Sequence, residues 1–160
     1  MNDVRFEVLS QSKLATELNP EQCKILASLI EMHDYQEGDV LVRERTSDEN
    51  LQVVVKGSLG IIKNFGTPDQ ELLNTITVGN FAGELGFMDN AARYASLVAL
   101  APTQTFTLSR TKLETLLDKD PRIVYNVMRA ILRVAHQVQY RLSMQQAELT
   151  NYLYKQQGRY

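Results

Sequence analysis

A chain of 160 residues, 44% hydrophobic and 22% charged, has the apolar content of one folded domain and excludes a disordered polyelectrolyte. Its formal net charge of −2 excludes a general binder of nucleic acid or of anionic membrane surfaces, both of which need a basic face. The single cysteine, Cys23, excludes an internal disulfide framework and fits a cytoplasmic location, which is expected here. The opening MNDVRFEVLS lacks a basic region followed by an apolar core, and no apolar run approaches the length of a bilayer span, so neither a secretory signal nor membrane contact is expected.

In chain order, residues 1–32 read as an N-terminal helical segment. Within it, 13–30 has helical character: Asn19 suits the N-cap, Pro20 the first helical position, and Gln22 completes a capping box. Leu26, Leu29 and Ile30 would form its buried stripe, with Cys23 a buried structural thiol. Short β-prone runs then follow at 39–42, 51–55, 58–63, 72–78, 95–100 and 103–109. They are separated by turn residues such as Gly38, TSDEN at 46–50, Lys56-Gly57, GTPDQ at 66–70 and Gly79-Asn80. That spacing predicts a β-sandwich or barrel. A short helix follows Ser109.

The tail carries the clearest periodicity. Asp120 suits a cap and Pro121 opens a helix running toward Tyr154. Apolar residues fall at Val124, Met128, Ile131, Ala135, Val138, Leu142, Leu149 and Tyr152, with Gln145 the one polar member. The steps alternate four and three, as in a heptad seam. A helix of this length spans about 50 Å, farther than a domain this small can cover. A parallel homodimer through residues 121–154 is therefore expected, with Gln145 setting register; the alternative is a helix that packs back on its own domain.

The stretch GELGFMDNAARYAS at 83–96 places one carboxylate and one guanidinium in an otherwise uncharged setting. Gly83 permits a tight turn, ELGFMDN can form a helical turn with free amides at its start, and Arg93 offers a fork of donors to an anion. Ionised Glu84 only accepts, and so would take a hydroxyl. Anion and hydroxyl together point to a phosphorylated sugar. The alternative is an Arg93–Glu84 ion pair that closes a loop.

The segment resembles the phosphate-binding cassette of the cyclic nucleotide-binding domain family, in which Gly-Glu-Leu is followed, nine residues after the Glu, by Arg-x-Ala-Ser/Thr. Here these are Gly83, Glu84 and Leu85, then Arg93, Tyr94, Ala95 and Ser96. HDYQEGDVLVRE at 33–44 resembles the family's opening strand, VVVKGSLGIIK at 53–63 its glycine-containing hairpin, and DKDP at 118–121 the entry to its C-terminal helix. The resemblance implies a mainly β fold with flanking helices: an eight-stranded, jelly-roll-like β-roll over 33–109, short N-terminal helices, and a short helix plus a long dimerisation helix over 110–160. It implies cyclic AMP or cyclic GMP as ligand, with no other cofactor and no metal. Glu84 would take the ribose 2′-hydroxyl and Arg93 the cyclic phosphate. The amides of Gly83, Leu85 and Tyr94 would add to the site, with Ser96 beside them. Val134, Val138 and Gln139 would supply a helical lid. Four positions depart from the family pattern: Ala82 stands for an aromatic, Ala92 for a proline, Arg45 for a glycine, and Tyr94 for a small residue.

Since QQGRY follows the long helix, the expected protein is a stand-alone sensor, like the sensor domain of the cyclic AMP receptor protein but without direct DNA binding, whose output is a partner protein or the dimer itself. A degenerate fold serving as a ligand-free dimeric scaffold is the alternative. A metal-dependent enzyme on a small barrel would need clustered ligands, and His33 and His136 are the chain's two histidines. No nucleophile–base pair or GxxxxGK loop is present, so no enzymatic activity is expected.

Overall fold

The computed structural model describes residues 3–158. Met1, Asn2, Arg159 and Tyr160, at the outer ends of the expected first and last segments, lie outside the described residues. Helix α1 (Val4–Ser10) is capped by Asp3, whose side chain accepts the Arg5 N–H at 3.1 Å. A 3-10 turn at Lys13–Ala15 follows, then α2 (Pro20–Ala27). The capping box forms: Asn19 accepts the Gln22 N–H at 2.9 Å and Gln22 accepts the Asn19 N–H at 3.1 Å. The single helix expected over 13–30 is thus two elements, because Pro20 disfavours helical geometry in the residue before it and cannot donate back to the preceding turn. Cys23, Leu26 and Ile30 are buried, and Leu29 packs against the same core.

Eight strands form two antiparallel sheets. The first, in order β1-β8-β3-β6, contains β1 (Glu31–Tyr35), β3 (Asn50–Lys56), β6 (Phe81–Ala82) and β8 (Thr103–Ser109). The second, β2-β7-β4-β5, contains β2 (Val40–Val42), β4 (Leu59–Lys63), β5 (Glu71–Ile76) and β7 (Ser96–Ala99). With the flanking helices this is the expected eight-stranded β-roll. Alternation along the first sheet sorts its residues by face. Leu51 and Val53, opposite Leu108 and Phe106, turn toward a core shared with Leu9, Leu14, Leu26, Phe87 and Ile123 of the helical layer. Val54 and Ala82, on the other face, meet Val42, Leu59, Ile76, Leu97 and Ala99 between the sheets. Buried Gln52 is satisfied by the Thr105 hydroxyl, which donates to its Oε1 at 3.3 Å.

Ser109 caps α4 (Arg110–Glu114), and the chain then enters α5 (Pro121–Gln157), whose 37 residues extend about 55 Å. Asp120 stands at the N-cap position, but its side chain accepts no amide there; its backbone, at φ −149° and ψ 74°, carries the carboxylate away from the first turn. The first turns bury Ile123, Val124, Val127, Ala130 and Ile131 against the helical core. Glu17 braces them, its carboxylate meeting Arg133 Nη2 at 2.5 Å and Arg129 Nε at 3.6 Å. From Ala135 to Gly158 every residue is exposed. The predicted seam therefore divides. Val124, Met128 and Ile131 pack on the chain's own domain, while Ala135, Val138, Leu142, Gln145, Leu149 and Tyr152 lie uncovered on the single chain.

The loop between β2 and β3 holds one strained residue. Arg45 has φ +69°, a left-handed conformation disfavoured for side chains, and its exposed side chain makes no hydrogen bond or ion pair among the described residues. Arg45→Gly should relieve that strain and offset the glycine's greater unfolded-state entropy, raising stability by about 0.5–1 kcal/mol. Thermal unfolding should register this as a gain of roughly 2–4 °C per kcal/mol; an unchanged or lowered midpoint would contradict the assignment of strain.

Candidate functional site

Residues 83–95 carry the chain from one sheet to the other, since β6 pairs with β3 whereas β7 pairs with β2 and β4. Gly83, at φ +94°, makes the turn into α3 (Glu84–Asp89), and Asn90, at φ +61°, ends that helix with its N–H on the Gly86 carbonyl. Phe87 is fully buried and ties α3 to the helical core. A short helix with one anchor and two sharp ends holds its first turn in a defined place.

Arg93 is gripped at both main chain and side chain. Its N–H donates to the Thr46 carbonyl at 2.9 Å and its carbonyl accepts the Arg45 N–H at 2.7 Å. Its Nη2 donates to the carbonyls of Asp48 at 2.8 Å and Asn50 at 3.1 Å, and lies 3.9 Å from Asp48 Oδ1. The side chain is 10% exposed, and its buried Nε has no hydrogen-bond partner. Gly83 and Gly86 give it room: a Cβ on Gly86 would stand 2.5 Å from the guanidinium carbon and 2.6 Å from the Asp48 carbonyl oxygen. Glu84 is half-buried and forms no ion pair or hydrogen bond among the described residues, so the Arg93–Glu84 pair considered from the sequence does not form; the carboxylate beside Arg93 is that of Asp48.

These groups border a cavity of about 760 Å³, within the usual range for a small-molecule site. Gly83, Glu84, Leu85, Arg93 and Tyr94 line it on the cassette side, Leu73, Asn74 and Thr75 of β5 on another, and α5 closes the third. Ser96, the sixth residue expected at the site, stays outside the wall: it is buried, and its Oγ accepts the Glu44 N–H at 3.0 Å. Of the expected lid, Val134 and Val138 line the cavity, but Gln139 does not. The lining residues of α5 are 134, 137, 138, 141, 142 and 145, a stripe that Gln139, about 100° around the helix from Val138, cannot join. Gln137, Arg141 and Leu142 are cavity residues that the sequence reading missed; it also missed Asp48 and Asn50, which hold Arg93 through main-chain carbonyls without lining the cavity.

A second polar chain supports the far end of the cassette. Lys63 Nζ donates to the Tyr94 carbonyl at 2.9 Å and pairs with Glu44 at 2.5 Å, and this hydrogen bond holds the Glu44 carboxyl below the usual range. Burial, reinforced by the charge of Glu84, pushes the Tyr94 phenol above its usual value. A desolvated guanidinium whose buried Nε has no partner, a carboxylate with no partner among the described residues, and a wall of mixed polar and apolar residues could together receive a small molecule that carries both an anion and a hydroxyl.

The family profile described as "Cyclic nucleotide-binding domain" matches residues 32–120, more than half of the chain, and the chain belongs to that family. Over 104 residues it is 25% identical to cGMP-dependent protein kinase 2 of Rattus norvegicus, a match covering 65% of this chain and 13% of the kinase's length. The structure aligns with a cyclic nucleotide-binding domain from Methylobacillus flagellatus KT at a TM-score of 0.75 and 24% identity, over 88% of this chain and 79% of that one. It also aligns with the regulatory subunit of a cAMP-independent protein kinase A from Trypanosoma brucei, at a TM-score of 0.69 and 21% identity, over 88% and 49% of the two chains. At such identities the two structural likenesses speak for the fold.

Gly86→Ala should force the guanidinium and the loop at Asp48 apart, lowering stability by about 1–3 kcal/mol as overpacking does. Chemical denaturation of the variant checks this, and a midpoint equal to wild type would mean that the close approach is unimportant.

Proposed function

We propose that the cavity binds a cyclic purine mononucleotide, cyclic AMP or cyclic GMP, and that the domain is a sensor whose long helix reports the bound state. The observation that carries this reading is Arg93, nine-tenths buried with its Nε unpartnered, on the wall of the same cavity as an uncommitted Glu84. The cyclic phosphate would add negative charge to what two carbonyls and the Asp48 carboxylate at 3.9 Å supply, and the ribose 2′-hydroxyl would donate to Glu84. The main-chain amides of Gly83, Leu85 and Tyr94 would add donors around the phosphate. Ser96 would act indirectly, its hydroxyl holding the start of β7 to the β2–β3 loop. On this reading the protein acts by binding and not by catalysis, in the cytoplasm, with neither DNA nor membrane as its direct partner.

The route from site to output runs through α5. Val138, Leu142 and Gln145 belong both to the cavity-lining stripe and to the heptad seam, so ligand and a second helix would meet on one face. We assign the uncovered part of that seam, Ala135 to Tyr152 within the expected span 121–154, to a two-fold homodimer, and the exposed Leu149 and Tyr152 support it. Nucleotide would shift the helix by its differential affinity for two arrangements, and a partner protein would read the change. A ligand-free dimeric scaffold is the second reading. It is favoured by one observation: Nη2 of Arg93 already donates to two carbonyls without a ligand.

Calorimetric titration with each cyclic nucleotide, paired with sedimentation of the same samples at micromolar concentration, separates the two readings. The sensor reading predicts saturable binding by wild type and a loss of about 2–5 kcal/mol, roughly 30-fold or more in affinity, for Arg93→Ala. It also predicts a dimer, and a monomer throughout would end the helix-pairing proposal. No binding of either nucleotide at millimolar concentration would leave the scaffold.

A further inference from the structure

The cavity wall contains two aromatic residues with different situations. Phe81 is 4% exposed and committed to the helical core, whereas Tyr94 is 56% exposed, leaving its ring available to whatever enters. The backbone that carries the ring is held from three directions. Lys63 donates to the Tyr94 carbonyl, the loop at Arg45 and Thr46 takes both main-chain groups of Arg93, and the Ser96 hydroxyl accepts the Glu44 N–H. The ring shares the cavity wall with Glu84 and Arg93, the two groups that would grip a sugar and its phosphate. A base joined to that sugar has an aromatic face close at hand, on a support that cannot drift.

We propose that the Tyr94 ring is the stacking platform for the base of the bound nucleotide, and that it accepts adenine and guanine alike because either purine presents a π-face. The inference rests on the cyclic nucleotide reading above and adds to it the residue against which the base rests. A ring that stacks contributes without reading hydrogen bonds at the base edge, so it tolerates either base.

The test compares wild type, Tyr94→Ala and Tyr94→Phe by calorimetry, or by competition where binding is weak, using cyclic AMP, cyclic GMP and 1-deoxyribose 3,5-cyclic phosphate. The last keeps the hydroxyl and the cyclic phosphate but has no base. Melting curves confirm that each variant is folded, as expected for an exposed position. Tyr94→Ala should weaken both nucleotides by about 5- to 100-fold, the range that one base–aromatic stack supplies. Tyr94→Phe should restore most of that affinity, and the baseless ligand should not distinguish Tyr94→Ala from wild type. The platform is overturned if Tyr94→Ala binds both nucleotides as tightly as wild type, or if Tyr94→Phe loses as much as Tyr94→Ala, which would point to the hydroxyl. It is overturned too if the baseless ligand suffers equally, which would make the role structural, or if one nucleotide alone is affected. In each of these cases wild-type binding still upholds the nucleotide reading; wild type that binds neither nucleotide overturns both.

Discussion

A guanidinium withdrawn from water, with its carboxylate neighbour Asp48 held off at 3.9 Å, is the constraint around which the cassette is arranged. Removing a cation from solvent carries a penalty of several kcal/mol unless opposite charge or hydrogen bonds replace the lost hydration. Around Arg93 the replacement is partial: two carbonyls on Nη2, Asp48 Oδ1 at 3.9 Å, and nothing on Nε. Such an arrangement persists only where the surroundings enforce it. Gly83 and Gly86 lack the side chains that would displace the guanidinium, Phe87 fixes the helix carrying Gly86, and the β2–β3 loop holds the Arg93 main chain by both its polar groups. Arg45 sits in that loop in a left-handed conformation, so local strain is accepted in order to hold the cassette.

The long helix divides into an anchored and an uncovered part. The helical core grips α5 through Ile123, Val127 and Ile131, and Glu17 ties Arg129 and Arg133 to the segment before α2. From Ala135 to Gly158 every residue of the helix and its cap is exposed. The cavity-lining stripe begins at Val134, where the gripped part ends, and continues along the free part to Gln145. A ligand that filled the cavity would therefore touch the helix just past its last anchor, where a small change of direction moves the far end most. This is the physical basis for the proposal that α5 carries the output.

Much of this was legible in the residues. The Asn19-Pro20-Gln22 signature marks the start of α2, since a capping box is written in side chains at fixed offsets. The cassette was legible through resemblance, as glycine, carboxylate and guanidinium stand at the family's spacing; the residues alone left an Arg93–Glu84 pair open. What escaped notice lacks a side-chain signature. Strand β6 has two residues, too few for any alternation, and the start of β1 at Glu31–Met32 precedes the 33–44 stretch that marked the opening strand by resemblance. Asp48 and Asn50 serve Arg93 through carbonyls that any residue would present, inside a run that reads only as a turn. The stripe facing the cavity depends on how the first turns of α5 seat in the core, so Gln137 and Gln139 could not be told apart from periodicity alone. The failed cap at Asp120 is of the same kind, because the residue type is right and the backbone angle, set by the approach from α4, is not.

The central claim is that Arg93 holds an open donor for an anion on a hydroxyl-bearing ring. The most direct measurement is the ¹⁵N–¹H correlation of its Nε–H, assigned by comparison with Arg93→Lys and followed during titration with cyclic AMP and cyclic GMP. The account predicts that the proton resonance moves downfield and saturates as the phosphate accepts the bond. A signal that stays in place at saturating concentrations of both nucleotides would contradict it.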